Sequence, residues 1–202
     1  VMEQIEQGGR YNLERSLVTI AKRLKSDEHR SLVEKFGIDE GKVYSRENLS
    51  SIRAACGRTI RDFEDSVKDS AKALLDMLDS AGVSPSDFNR GFMKALLYYA
   101  EPGHGDVIEP PSASFMTKAR DHGQWFAKSK EKTFKSAVWP LMESPLEDFC
   151  NLFGKDYSIY RTALILKGQL YGLGVSADLY REFNALMKEK NVLSIDDSNT
   201  IL

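Results

Sequence analysis

The sequence predicts an all-α protein. Apolar residues recur at three- and four-residue steps over long stretches, which is the spacing of one face of a helix. No stretch of useful length alternates apolar and polar residues as a half-buried strand would, and no internal repeat is apparent. We therefore expect one elongated helical domain over residues 1–202, with two long helices packed antiparallel and several short helices beside them.

The order of the helices follows from the apolar spacing and from the residues that interrupt it. Asn12 is a suitable N-cap for the first helix, and Gly37 and Gly82 are suitable ends for the second and third. Ser84 and Pro85 provide an N-cap and a first helical residue for the fourth. The expected helices span about 12–24, 28–36, 45–81, 85–100, 115–122, 131–142, 145–153 and 156–190.

Two regions depart from regular helix. Residues 101–114 contain three prolines and two glycines, so we expect a loop there and expect it to be mobile. Pro140 should limit the helix expected over residues 131–142. Gly168, Gly172 and Gly174 lie within seven residues of the last helix, which predicts a kink or a close helix crossing.

Composition sets bounds on function. The formal net charge is -2, which is not typical of a strongly basic nucleic-acid-binding protein. Cys56 and Cys150 each lie in a helical apolar pattern and are interpreted as buried, reduced thiols. No apolar run approaches the roughly 18 residues needed to span a membrane, so no membrane partner is expected.

Catalytic patterns are missing from the sequence. His29, His104 and His122 are far apart and have no Cys or carboxylate at metal-ligand spacing. The chain contains no glycine-rich phosphate-binding loop followed by Lys and Ser or Thr, so it lacks the element that holds ATP phosphates. The pair Asp196-Asp197 is interpreted as helix capping rather than as metal ligands. We expect no catalytic residue, metal site or cofactor within these residues.

The most basic part of the chain is residues 115–139, with six basic and two acidic residues. Lysine and arginine displace counterions from phosphates, and aromatic rings interleaved with them can stack on bases. The aromatic residues of this segment are Phe115, Trp125, Phe126, Phe134 and Trp139. The alternative is that the aromatic residues are core and the lysines a solvated face. Arg58, Arg61, Lys68 and Lys72 on the third helix are a weaker candidate because acidic residues surround them. The candidate DNA-binding residues are Lys118, Arg120, Trp125, Lys128, Lys130, Lys132 and Lys135.

Two segments carry a resemblance to a known family. The stretch Leu193–Leu202 (LSIDDSNTIL) follows a long helix and is similar to the "LSDTNELL"-like element that precedes the Walker B motif in UvrD/Rep-type DNA helicases. The stretch Tyr11–Leu24 resembles a helix near the start of the helical insertion in the same proteins. The resemblance is closest to the RecB/AddA (exonuclease V beta subunit) branch. Residues of about 40–155 match no known motif.

The resemblance implies a function for a larger protein. The chain would be an accessory subdomain excised from a bacterial, cytoplasmic, ATP-dependent DNA helicase or helicase–nuclease of recombinational repair. It would contact single-stranded or forked DNA, while ATP and Mg²⁺ would bind to other domains of that protein. A second subunit of a helicase–nuclease complex is a further candidate partner. The alternative is a helical protein–protein interaction module without catalytic activity, which the wide apolar face of the last helix suits equally well.

Overall fold

The computed structural model describes most of the chain, and the all-α class is confirmed in that part. The described residues contain seven α-helices, one short 3₁₀-helix and a single isolated β-bridge between Phe88 and Phe126. The segment Leu193–Leu202 lies outside them, as does most of the first expected helix. The structure describes residues 19, 22, 26–84, 87–88, 90–103, 105, 107–126 and 138–190.

The described α-helices differ widely in length, from four residues to 35. Two of them have 35 residues each. In chain order the elements are α1 (Asp27–Phe36), α2 (Glu40–Val43), α3 (Arg46–Ser80), α4 (Arg90–Ala100), α5 (Ala113–Arg120), the 3₁₀-helix His122–Gln124, α6 (Trp139–Leu152) and α7 (Lys155–Glu189).

The helix ends predicted at Gly37 and Gly82 are confirmed. Ser26 caps α1 by accepting the backbone N–H of His29 at 3.2 Å. Gly37 and Gly82 follow α1 and α3 with φ angles of 59° and 69°, which glycine adopts without the steric cost that other residues pay. Both therefore end their helices as the sequence predicts.

The start of α4 differs from the prediction of residue 85. The Asp87 carboxylate accepts the Ser84 N–H at 3.2 Å, while the Asp87 N–H donates to the Ser84 carbonyl at 2.9 Å. Phe88 then pairs with Phe126 in the isolated bridge. The backbone of this segment is used in a tight turn and a bridge, so the α-helix begins only at Arg90.

The predicted break between two helices near residue 143 is wrong. Residues Trp139–Leu152 form one helix with Pro140 in its first turn, where the missing N–H has no helical partner to lose. Pro145 lies inside the helix and removes one backbone hydrogen bond without ending it. Residues 131–137, the first part of the expected helix 131–142, lie outside the described part.

The chain divides into two compact units, one of residues 57–164 and one of residues 1–56 with 165–202. The unit 57–164 has an aromatic core. Phe92 stacks on Phe115 with ring centroids 5.1 Å apart, and Phe63 stacks on Tyr160 at 4.5 Å. Its largest fully buried side chains are Trp125, Tyr160, Phe92, Phe149, Leu74, Leu78, Leu96, Ile108, Met142, Leu146, Val67 and Val138.

The other unit contains the predicted antiparallel, close helix crossing. Leu49 of α3 lies beside Gly174 of α7, where an added β-carbon would stand 3.1 Å from the leucine Cδ1. Arg46, three residues earlier in α3, reaches Asp178, four residues later in α7, at 3.5 Å. The two helix segments therefore run antiparallel within this unit, and glycine at 174 allows the close approach. Both cysteines, Cys56 and Cys150, are free and buried as predicted.

Candidate nucleic-acid interface

The described part of the candidate interface is built on α5. The Ser112 side chain accepts the Phe115 N–H at 3.2 Å, which caps the helix at its start. Lys118 and Arg120 lie in the last turn, where positive charge interacts favourably with the helix dipole. Arg120 is exposed and Lys118 is partly buried. The predicted pair of cations is thus displayed at the carboxyl end of a short, well-capped helix.

The turn after α5 is closed by side-chain hydrogen bonds. Asp121 accepts the Gly123 N–H at 3.1 Å and the side-chain amide of Gln124 at 2.6 Å. The indole N–H of Trp125 lies within hydrogen-bond distance of the carbonyls of Lys118 and Ala119, at 2.9 and 3.3 Å. These carbonyls belong to the last turn of α5, and the Lys118 carbonyl also accepts the backbone N–H of Asp121 at 3.1 Å. Trp125 therefore holds the end of the helix to the core.

Three of the aromatic candidates for base stacking are core residues. Trp125 is fully buried, and Phe115 and Phe126 are 4% and 5% exposed. Phe126 packs on Phe88 at 4.9 Å, and Trp125 stacks on Phe92 at 6.2 Å. No ring face of these residues is open to a base. This corrects the assignment of Trp125 as a DNA-contacting residue, because its indole is buried in the core and offers no face on which a base could stack.

The lysine-rich part of the candidate lies outside the described residues. Lys128, Lys130, Lys132 and Lys135 fall within 127–137, so their role stays a prediction. The residues on either side are fixed in the core. Phe126 is buried before the segment, and Val138 is 1% exposed after it. Trp139 is partly buried, and its indole N–H donates to the Glu143 carboxylate at 3.1 Å.

The charge of Arg120 acts on the neighbouring helix α6. Burial raises the pKa of the Cys150 thiol to about 11, while the nearby Arg120 guanidinium lowers it and Glu147 raises it further. Arg120 therefore lies within electrostatic reach of α6. A buried thiol with a raised pKa is largely protonated at neutral pH, which makes Cys150 a packing residue rather than a nucleophile.

The second basic candidate, on α3, is mixed in charge. Arg58, Arg61 and Lys72 are exposed, and Lys68 is partly exposed. Acidic residues recur along the same exposed side of the helix, among them Asp62, Asp65 and Asp69. Since neighbouring carboxylates cancel much of the positive potential, this face is less suited to phosphate than the segment that begins at α5.

A cleft of about 550 Å³ lies at the amino end of α3, within the unit 1–56 and 165–202. Two arginines face three carboxylates there. Asp178 accepts from Arg181 at 2.6 Å and from Arg46 at 3.5 Å, so its charge is already compensated. The cleft has no excess positive charge with which to hold a phosphate. It is lined by Gly41, Ser45, Arg46, Glu47, Asp178, Arg181 and Glu182.

The described residues contain no group of three or more His, Cys, Asp or Glu side chains placed to hold a metal ion. His29 instead forms a hydrogen bond with Glu40, with 2.9 Å between Nε2 and the carboxylate oxygen. Within the same residues, no helix combines the length and the apolar character that crossing a membrane requires.

Comparison of the chain with protein-family models, curated proteins and solved structures finds no match. The helicase resemblance therefore depends on the two sequence segments 11–24 and 193–202 alone.

Proposed function

We propose that this chain is a DNA-contacting accessory subdomain of an ATP-dependent DNA helicase or helicase–nuclease of the RecB/AddA type, acting in recombinational repair. The observation that carries the proposal is the concentration of six basic residues between positions 118 and 135, of which the first two lie beside a turn that the core holds in place. The sequence resemblance supplies the class of parent protein. The capped helix α5 and its tethered end support the idea of a surface displayed in a defined arrangement.

The chemistry of this surface suits the phosphate backbone better than the bases. Phe115, Trp125 and Phe126 are buried and leave mainly ammonium and guanidinium groups for contact. Such groups gain free energy by releasing counterions from phosphates, without reading sequence. A helicase accessory domain needs contact of this kind because it meets every DNA sequence in turn. ATP and Mg²⁺ would bind to other domains of the parent.

Charge reversal tests the proposal. The variant K128E/K130E/K132E is compared with K167E/K188E/K190E, which changes the net charge equally at exposed lysines of α7 and just beyond its end. Binding to a forked DNA is followed by fluorescence anisotropy over a range of salt concentrations. We expect the first variant alone to weaken binding and to reduce the salt slope by about 0.7–0.9 for each lost phosphate contact. Equal effects of both variants, or none, would reject this surface.

A second candidate is a helical protein–protein interaction module. Ile165, Leu179 and Leu186 of α7 are 62%, 54% and 48% exposed and are separated by multiples of seven residues. That spacing places them on one side of the helix, where an amphipathic partner helix could pack. The sequence that follows Leu202 in the intact gene separates the two candidates. An apolar strand ending in Asp-Glu-x-x-Asp within some tens of residues favours the helicase, and its absence favours the interaction module.

A further inference from the structure

The loop that precedes α5 is fastened to three helices of its unit. Ile108 is 1% exposed, and its N–H donates to the Tyr160 hydroxyl of α7 at 3.0 Å. That hydroxyl in turn donates to Glu64 of α3 at 3.2 Å. The Tyr99 hydroxyl of α4 donates to the Glu109 carbonyl at 2.8 Å. The middle of a segment rich in proline and glycine is therefore fixed by its backbone.

The Glu109 side chain adds a second attachment. One carboxylate oxygen accepts the Tyr157 hydroxyl at 3.0 Å, and the other accepts from the Arg161 guanidinium at 3.3 Å. The two donors are four residues apart on α7 and so lie on the same side of the helix. Desolvation and the bond to Glu109 raise the pKa of Tyr157, so the phenol keeps the proton that it donates. We refer to Glu109, Tyr157 and Arg161 as the clamp.

The connection from the clamp to α5 is short and stiff. Pro110 and Pro111 are the only residues between Glu109 and the N-cap Ser112. Each proline ring fixes its own φ angle and restricts the residue before it to an extended conformation. Few rotatable bonds remain between Glu109 and the first turn of α5. The position of the Glu109 backbone thus largely determines where the helix begins.

The other end of α5 is fixed independently by Trp125. A helix of eight residues has little stability of its own, so its orientation depends on these two attachments and on the packing of its buried residues, Phe115 and Ala119. Its last turn carries Lys118 and Arg120. Loss of the amino-terminal attachment would leave the helix held by its carboxyl end and by its buried residues.

We propose that Glu109 is a positioning residue. Held by Tyr157 and Arg161, it fixes α5 through Pro110 and Pro111 and so sets where Lys118 and Arg120 meet a nucleic-acid phosphate. The inference rests on the proposed function, because it assigns the clamp to the same surface. It differs from a merely structural role in one respect. Weakening the clamp should reduce DNA affinity although the surface loses no positive charge.

Tyr157→Phe and Glu109→Gln test the inference in the full chain, with Tyr171→Phe as the matched control. Tyr171 is an exposed tyrosine of α7 in the other unit. Tyr157→Phe removes one hydroxyl from a partly exposed ring, so the fold should persist, which far-UV circular dichroism checks. We expect hydrogen exchange of the 113–120 amides to accelerate about fivefold, the factor for one ordinary hydrogen bond. The control should leave this exchange unchanged.

The second measurement is binding to the forked DNA across salt concentrations. We expect Tyr157→Phe to bind about three- to tenfold more weakly with the wild-type salt slope, because it removes order and no charge. We expect Glu109→Gln also to bind more weakly, although it removes a negative charge and leaves Arg161 unpaired by Glu109, which alone would favour phosphate. Unchanged exchange in both variants would overturn the inference, as would faster exchange with unchanged affinity. If the wild-type chain does not bind DNA, the proposed function fails, and the inference fails with it. If the wild type binds and the clamp variants bind equally well, only the inference fails.

Discussion

The close crossing at Gly174 predicts opposite responses of two neighbouring glycines to the same substitution. Both Gly168 and Gly174 lie in the interior of α7, so replacement by Ala gains about 0.8–1 kcal/mol of helix propensity at either position. At Gly168 an added β-carbon meets no atom within 4 Å. We therefore expect Gly168→Ala to stabilise the protein by close to the full propensity gain.

At Gly174 the added carbon would stand 3.1 Å from the Cδ1 of Leu49. Ordinary carbon–carbon contacts are about 3.5–4.0 Å, so the leucine side chain would have to retreat by a few tenths of an ångström. Leu49 is 9% exposed and has little free space. Overpacking of this kind costs about 1–3 kcal/mol, which equals or exceeds the propensity gain. We expect Gly174→Ala to be between neutral and about 2 kcal/mol destabilising.

Urea unfolding and thermal unfolding, each followed by far-UV circular dichroism, measure both variants. For a chain of this length a difference of 1 kcal/mol corresponds to about 2–4 °C in Tm. Leu49→Ala supplies the decisive control, because it removes the carbon that Gly174→Ala would meet. In that background Gly174→Ala should stabilise as Gly168→Ala does in the wild type. If Gly174→Ala stabilises the wild type as much as Gly168→Ala does, the two helices do not crowd each other at this position and the reasoning fails.

Three further predictions concern the unit 57–164. With a pKa of about 11 in place of 9.0, the Cys150 thiol should react with iodoacetamide at pH 8 about 100-fold more slowly than an unperturbed thiol, and denaturant should abolish the difference. Ser112→Ala should lower the free energy of unfolding by about 1 kcal/mol, because α5 loses its N-cap. An unchanged free energy from urea unfolding would show that the cap contributes nothing. Tyr160→Phe should cost about 1–3 kcal/mol, because the buried Ile108 N–H loses its acceptor. Burial is the main cause that raises the pKa of Tyr160 above its ordinary value of 10.0 in the folded protein. The contribution of its hydroxyl to the free energy of unfolding should therefore be complete below about pH 10 and lost as the pH rises through the raised pKa of the folded state. A stability difference between the wild type and Tyr160→Phe that grows above about pH 10 would contradict this.

The sequence predicts helix ends well where a single residue decides them. Gly37 and Gly82 each adopt a left-handed conformation that few other residues tolerate, so their position alone marks an end. The start of α4 could not be predicted in this way. Ser84, Pro85 and Asp87 form an ordinary N-terminal pattern, but Phe88 pairs with a residue 38 positions later, and no local pattern contains that partner. Pro145 is a similar case. The free-energy cost of a proline inside a helix can be read from the local sequence, but the packing of α6 that offsets this cost involves residues distant in sequence.

The clamp is not visible in the sequence for a related reason. Tyr157 falls in the apolar pattern of a long helix, and Glu109 falls in a loop with several other polar residues. Their spacing matches no recurrent motif. Only the fold brings residues 48 positions apart within hydrogen-bond distance. The nearest sequence signal is the pair Pro110-Pro111, which shows that the loop is stiff at that point but not what holds it.

The basic segment shows why residue type and spacing alone could not separate a binding surface from a core. Aromatic and basic residues alternate from 115 to 139, and that pattern is compatible with bases stacking on exposed rings or with rings packed inside a solvated shell. The partners of Trp125 decide between them, because Phe92 lies 33 residues earlier and closes over its ring. Because these rings are buried, the expected dependence of DNA binding on salt and base composition changes. Contact through lysine and arginine alone should depend steeply on salt and little on base composition, whereas stacking would retain affinity at high salt. Binding to the forked DNA that survives high salt would therefore point to the two other aromatic residues of the segment, Phe134 or the partly buried Trp139.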